Sequence, residues 1–240
     1  MSAGLSLVDA SAGYFGHDLV LDGVRLHAPP GWVTAVLGPN GSGKSTALRV
    51  LYGFLRPREG RVVLDDRDIT DTPVDERTGL GVAFLPQGRS VFPRLTVEEN
   101  LRLGAWSLRR DRRRLNEAVD RMFDRYPLLV PLRAKPAGGL SGGQARLLEF
   151  GRTLVLDPRI VLVDEPSVGL SPALVDEVYE ELGKLKDEGR AILLVDQNIK
   201  AAVGLADYVY TLAYGRNHLE GERQRFGDQL DQLIKEWLQL

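Results

Sequence analysis

The sequence predicts an α/β fold in which strands and helices alternate, with a β-rich edge near the N-terminus and an all-helical insertion in the middle. Three observations carry the prediction. Short apolar runs at Val33–Leu37, 160–163 and Ala191–Val195 have the length and composition of buried strands. Near the N-terminus, Leu5, Leu7, Val20, Val24 and Leu26 stand among polar residues, punctuated by Gly13, Gly16 and Gly23, as antiparallel strands do. From residue 88 to about 153 no strand pattern appears.

The run at Val33–Leu37 ends on Gly38, and residues 47–55 read as the next helix. Residues 60–64 and Val82–Leu85 read as further strands. In the insertion, Thr96 with Glu99 forms a capping box, which predicts a helix to about Trp106. Leu115, Val119, Met122, Phe123 and Tyr126 recur at helical intervals and predict another. Residues 172–188 carry Leu174, Val178, Leu182 and Leu185 on one face and stop at Gly189. The stripe Leu230, Leu233, Ile234, Trp237 and Leu238 predicts a C-terminal helix. No repeat or low-complexity linker divides the chain, so 1–240 reads as a single domain. Its core and β edge take 1–87 and 154–240, and its helical subdomain takes 88–153.

The bulk numbers exclude several functions. The 240 residues suffice for one large domain, and 43 % hydrophobic with 27 % charged residues is ordinary for a globular protein. Lys plus Arg, 31, against Asp plus Glu, 33, leaves a net charge of -2, so nucleic acid is not the expected partner. With no cysteine, disulfides, thiolate metal sites and a cysteine nucleophile are excluded. Residues 1–10 lack the basic start and apolar run of a signal peptide, and the apolar runs are far too short to span a bilayer. A cytoplasmic protein is expected, one able to dock on a membrane protein.

Three motifs carry chemistry. Gly38-Pro39-Asn40-Gly41-Ser42-Gly43-Lys44-Ser45-Thr46 fits the phosphate-binding loop, between a predicted strand and a predicted helix. Its glycines let backbone N–H groups converge on phosphate oxygens, and the helix N-terminus adds about half a positive charge. Lys44 is placed for the β- and γ-phosphates, and the Ser45 hydroxyl for Mg²⁺. The strand at 160–163 ends in Asp164 and Glu165. Asp164 is placed to hold Mg²⁺, usually through water, and Glu165 to act as general base on the attacking water. Leu140-Ser141-Gly142-Gly143-Gln144 opens a second anion-binding helix start. One ATP cannot easily touch both helix starts in one subunit. The economical answer is two subunits paired head to tail, each completing the other's site.

These motifs, in this order and with this spacing, resemble the ABC ATPases, whose signature is LSGGQ. The resemblance implies a P-loop NTPase core of the RecA-like kind with an antiparallel β subdomain and an inserted α-helical subdomain. ATP and Mg²⁺ are its implied ligands and ATP hydrolysis coupled to transport its implied activity. It further implies that Tyr14 stacks on adenine and that Gln87 contacts Mg²⁺ or the attacking water and senses the transporter. Implied partners are transmembrane permease subunits, a second ATPase subunit and, indirectly, a periplasmic or extracellular solute-binding protein. The chain would then lie on the inner face of the membrane through the permease.

Two positions depart from the family pattern. Ser171 stands where Asp is usual, and Gln197 where a switch His usually contacts the γ-phosphate. Gln can hydrogen-bond a phosphate but carries no imidazolium charge. With Glu165 intact, activity is expected, and the departures suggest two unequal sites in a heterodimer. Pro86-Gln87-Gly88-Arg89, the stretch from Val91 to Leu101 and Asp196-Gln197-Asn198 resemble the ATPases of branched-chain amino-acid importers and their urea-importing relatives. A lipopolysaccharide-export-type ATPase and a soluble, non-transport ABC ATPase are the rival readings. The arginines at 109, 110 and 112–114 read as a solvated helix start, and His17, His27 and His218 as packing or solvent residues.

Overall fold

The computed structural model describes residues 3–14, 18–88 and 90–227. His17 and the predicted C-terminal stripe from Leu230 to Leu238 lie outside the described residues.

Two sheets organise the chain. The first is antiparallel: β1 (Leu5–Ala12), β2 (Leu21–Ala28), β4 (Glu59–Leu64) and β5 (Arg67–Asp68) in the order β2-β1-β4-β5. The second holds β3 (Val33–Leu37), β6 (Val82–Leu85), β7 (Ile160–Asp164), β8 (Ala191–Val195), β9 (Tyr208–Ala213) and β10 (Arg216–Glu222), ordered β10-β9-β3-β8-β7-β6. All its pairs are parallel except β9 with β10.

The period of two sorts the central strands onto two faces. Val33, Ala35, Leu37, Val161, Val163, Ile192 and Leu194 join one core cluster, which also takes in the helices of the middle segment. Val36, Ile160, Leu162, Ala191, Leu193 and Val195 join the other, against the first helix and the antiparallel sheet. Burial on both faces is why these runs read as continuously apolar.

The helices are α1 (Lys44–Tyr52), α2 (Val74–Gly79), α3 (Val97–Gly104), α4 (Arg112–Arg125), α5 (Gly142–Leu154), α6 (Pro172–Asp187), α7 (Ile199–Leu205) and α8 (Arg223–Gly227). Between Leu85 and Ile160 the described chain forms helices and 3₁₀ turns but no strand. The capping box expected at Thr96 is present: Thr96 N donates to Glu99 Oε2 at 2.7 Å, and Glu99 N to Thr96 Oγ1 at 3.1 Å. The helix ends at Gly104 rather than Trp106, which starts a separate 3₁₀ turn. The first helix spans Lys44–Tyr52, not 47–55. It starts in the phosphate-loop residues themselves and stops where Gly53, at φ 93, takes the left-handed cap conformation. None of the described helices is long and apolar enough to cross a membrane.

Register places the site. Leu85 pairs with Val163, Asp164 with Val195, and Val36 with Val195. The carboxyl ends of β3, β6, β7 and β8 therefore line one edge of the sheet. The segments that leave them begin at Gly38, Pro86, Glu165 and Asp196. In open parallel sheets that edge is where ligands bind.

Candidate active site

The phosphate loop closes on itself. Gly38 has φ 151, and a Cβ there would lie 2.2 Å from the carbonyl oxygen of Leu212, so only glycine passes between β3 and β9. Ser42, Gly43 and Lys44 are buried, Gly38, Pro39 and Ser45 are half-buried, and Asn40 and Gly41 form the exposed tip. Lys44 Nζ donates to the carbonyls of Gly38 and Pro39, both at 2.9 Å, and so bridges the loop. Burial lowers the pKa of this ammonium, opposed by the nearby Glu165 and Asp164 charges. The buried Ser42 Oγ has no hydrogen-bond partner among the described residues.

Beside the loop, the Ser45 hydroxyl donates to Asp164 Oδ1 at 2.8 Å. Burial pushes the Asp164 carboxyl up, partly offset by that hydrogen bond, while the Glu165 charge adds to the rise. A cation here would supply the charge that burial withholds. The donors are oxygens, and no cluster of three or more His, Cys, Asp or Glu stands among the described residues. That suits a Mg²⁺ taken with one carboxylate, a hydroxyl and substrate phosphates.

Glu165 is the centre of the edge. It is 7 % exposed, with φ 45, a left-handed backbone rare outside glycine and a form of strain found at functional sites. Its N–H continues the ladder to the Val195 carbonyl at 2.8 Å, and the turn then swings the side chain toward β6 and β8. Gln87 Nε2 donates to Glu165 Oε2 at 2.5 Å, and Gln197 Nε2 donates to the same oxygen at 2.8 Å. Oε1 receives no hydrogen bond from the described residues, so one carboxylate oxygen is left to accept a proton from water. Gln197, read from the sequence as a residue able to hydrogen-bond a phosphate, here donates to Glu165.

Tyr14 lies in the loop after β1, within the β1–β2 connection. Its hydroxyl is 3.3 Å from Thr46 Oγ1 and accepts from Arg49 Nη1 at 3.0 Å, with the Arg49 guanidinium 5.8 Å from the ring centroid. The ring is 43 % exposed, so an aromatic face is offered beside the phosphate loop.

The turn before α5 is a capping box: Gln144 N donates to Ser141 Oγ at 3.3 Å, and Ser141 N to Gln144 Oε1 at 3.0 Å. Gly142 and Gly143 face Leu174, whose Cδ2 lies 3.0 Å from where a Cβ on Gly143 would be. No hydrogen bond joins this turn to the phosphate loop among the described residues.

Three features escaped sequence reading. Asp196, 1 % exposed, accepts from Ser167 Oγ at 2.6 Å, Ser167 N at 3.2 Å, Tyr179 OH at 3.0 Å and Asn198 N at 3.0 Å. It thereby ties the segment after Glu165 to that carrying Gln197, and burial raises the Tyr179 phenol beside it. Its signal was a carboxylate directly after a fully apolar strand. Asn100, fully buried, staples the loop before α3 through the backbone of Phe92, Leu95 and Thr96. The Arg146–Glu149 pair on α5 is buried, although opposite charges at i,i+3 usually mark a solvated helix face. Elsewhere, Asp111 caps α4 beside the exposed arginines, and Arg109 lies over Trp106 at 5.2 Å. His27 bonds Ser6 and His218 is exposed, both away from this edge.

Comparison with known proteins gives the family and the fold of this chain. The family described as ABC transporter matches residues 21–168. A probable branched-chain amino acid transport ATP-binding protein of Archaeoglobus fulgidus is 37 % identical over 90 % of this chain and 91 % of its own length. A lipopolysaccharide export system ATP-binding protein of Acidithiobacillus ferridurans is 32 % identical over 88 % of this chain and 87 % of its own. A crystal structure of an ATP-binding cassette of an ABC transporter in its ADP conformation superposes with a TM-score of 0.87, at 29 % identity, over 99 % of each chain.

Proposed function

The chain belongs to the ABC transporter family as an ATP-binding, ATP-hydrolysing subunit, and we propose that it powers an importer of a small solute, namely branched-chain amino acids. The single observation that carries the catalytic part is Glu165, held through one oxygen by Gln87 and Gln197, directly after the Ser45-linked Asp164. Glu165 accepts the proton of the attacking water, and Lys44 leaves the loop carbonyls for the β- and γ-phosphates. Ser45, Asp164 and Gln87 would hold Mg²⁺, which when bound neutralises phosphate charge. The backbone of 38–46 and the α1 N-terminus cradle the phosphates, and Tyr14 stacks on the adenine. Residues 141–144 cover the nucleotide of a partner subunit. Catalysis is then mostly positioning and electrostatics.

The 88–153 segment acts as a helical subdomain on a core of 1–87 and 154–240. Where it meets the core, Phe54, Phe84, Pro86, Ser90, Gly104 and Leu156 border a groove with a cavity of about 300 Å³. A cytoplasmic helix of a permease docks there, which puts this subunit at the inner face of the membrane. The lack of an ionisable group at Gln197 and Ser171 favours a second, different ATPase subunit as its partner. A periplasmic or extracellular binding protein would deliver the solute. The A. fulgidus relative supports the choice of solute, and the lipopolysaccharide export relative supports an alternative.

The test is purification of the assembled membrane complex, followed by ATPase assays in liposomes with branched-chain amino acids, other small amino acids and urea. Stimulation by branched-chain amino acids and the presence of a second ATPase subunit are expected. Two copies of this chain alone would refute the unequal pair. Stimulation by none of the solutes, with a lipopolysaccharide-export permease in the complex, would move the chain to the export reading.

A further inference from the structure

Arg146 and Glu149 stand one turn apart on α5 and are 6 % and 3 % exposed. Arg146 Nη1 donates to Glu149 Oε2 at 2.7 Å. Each side chain also reaches off the helix. Glu149 Oε1 accepts the backbone N–H of Ser90 at 2.5 Å, three residues after Gln87. Arg146 Nη2 donates to the carbonyl of Pro166 at 3.1 Å, the residue directly after Glu165. Arg152, further along α5, donates to the Ser90 carbonyl. One buried ion pair thus grips the exits of the two segments that bring Gln87 and Glu165 together.

Stability is a poor reason for such a pair, because desolvating two charges offsets most of their attraction and apolar side chains fill the same space as well. Arg146 Nε has no hydrogen-bond partner among the described residues, so the pair is not even fully satisfied there. What it does supply is register between three segments that are distant in sequence. It also touches the groove, since Ser90, Glu149 and Arg152 line the cavity beside Phe84 and Pro86. A body entering that groove would therefore lie against the Ser90 link.

We infer that the Arg146–Glu149 pair is a positioning unit: it sets the Gln87 segment against the Glu165 segment and carries displacement at the groove to both. The inference rests on the ATPase reading above. Neither residue touches substrate; both act through Ser90 and Pro166.

The experiment is steady-state ATP hydrolysis by the full chain with two variants. Arg146→Leu/Glu149→Leu replaces the pair by apolar groups of similar reach, a change that leaves folds intact in comparable cases. Glu149→Gln keeps the shape and one acceptor, but turns an N–H₂ toward either Ser90 or Arg146. The double variant should lower kcat on the order of tenfold or more with KM for ATP unchanged, as expected for misplaced catalytic groups. Glu149→Gln should lower kcat roughly threefold or more, again at constant KM. Wild-type kcat in whichever variant folds would overturn the inference. So would a rise in KM that matches the fall in kcat, which would mark a general loosening of the site. Absence of turnover in the wild-type chain would instead overturn the ATPase reading, and this inference with it.

Discussion

Gln197, two residues after β8, donates to Glu165, directly after β7, with Nε2 2.8 Å from Oε2. The bond crosses between neighbouring strands and fixes the carboxylate in a register that Asp164 and Val195 already share. Gln87 loads the same oxygen from the β6 side. The residue that departs from the family's usual His therefore has a defined hydrogen-bond partner in this chain.

Gln197→Ala removes one of these two donors. We predict a fall in kcat of roughly ten- to a hundredfold, consistent with losing a hydrogen bond to a charged group, about 1.5–3 kcal/mol, with ATP affinity unchanged. Steady-state kinetics beside calorimetric titration of nucleotide would check it. Equal kcat would mean that Gln87 alone orients Glu165.

Lys44→Ala should act on binding. The lysine bridges two loop carbonyls and is poised to exchange them for phosphate oxygens. We expect loss of measurable ATP affinity in a fluorescence titration, whereas near-normal affinity would show that the backbone of 38–46 suffices.

For Tyr14→Ala the expected loss is milder, about 1–3 kcal/mol of base stacking, with a weaker preference for purines. The exposed ring and its link to Thr46 and Arg49 motivate this. Unchanged affinities for ATP and CTP would return Tyr14 to a packing role.

Ser141→Arg should block turnover at a partner's nucleotide while leaving ATP binding to the isolated subunit intact. The motive is that the 141–144 turn makes no hydrogen bond to the phosphate loop among the described residues. Failure of the monomeric variant to bind ATP would contradict a composite site.

Much of this was legible in the sequence, for physical reasons. Strands β3, β7 and β8 are buried on both faces, so their apolar runs announce them, and the phosphate loop follows directly from β3. The strands β9 and β10 went unread. The first carries Tyr208, Tyr210 and Thr211 among its apolar residues, and the second is an edge strand of alternating half-buried and exposed residues with a single apolar side chain, Leu219. The start of α1 was missed because its first turn is polar, made of Lys44, Ser45 and Thr46. In the site, the residue types were readable but the long-range links were not. Asp196 with Tyr179, and Glu149 with Ser90, join segments 17 and 59 positions apart. Charged residues at such positions read as solvated until the fold brings their donors to them. Arg77 is the extreme case: 1 % exposed, it donates to the carbonyls of Val50, Leu51, Ile69, Thr70 and Thr72, and no local pattern marks it.

The most direct measurement is ATP turnover by Glu165→Gln together with nucleotide binding and oligomeric state. General-base catalysis contributes about 10²–10⁴-fold, so turnover should fall by at least roughly a hundredfold. ATP should remain bound and the dimer persist in its presence. Turnover near that of the wild-type chain would contradict Glu165 as the base.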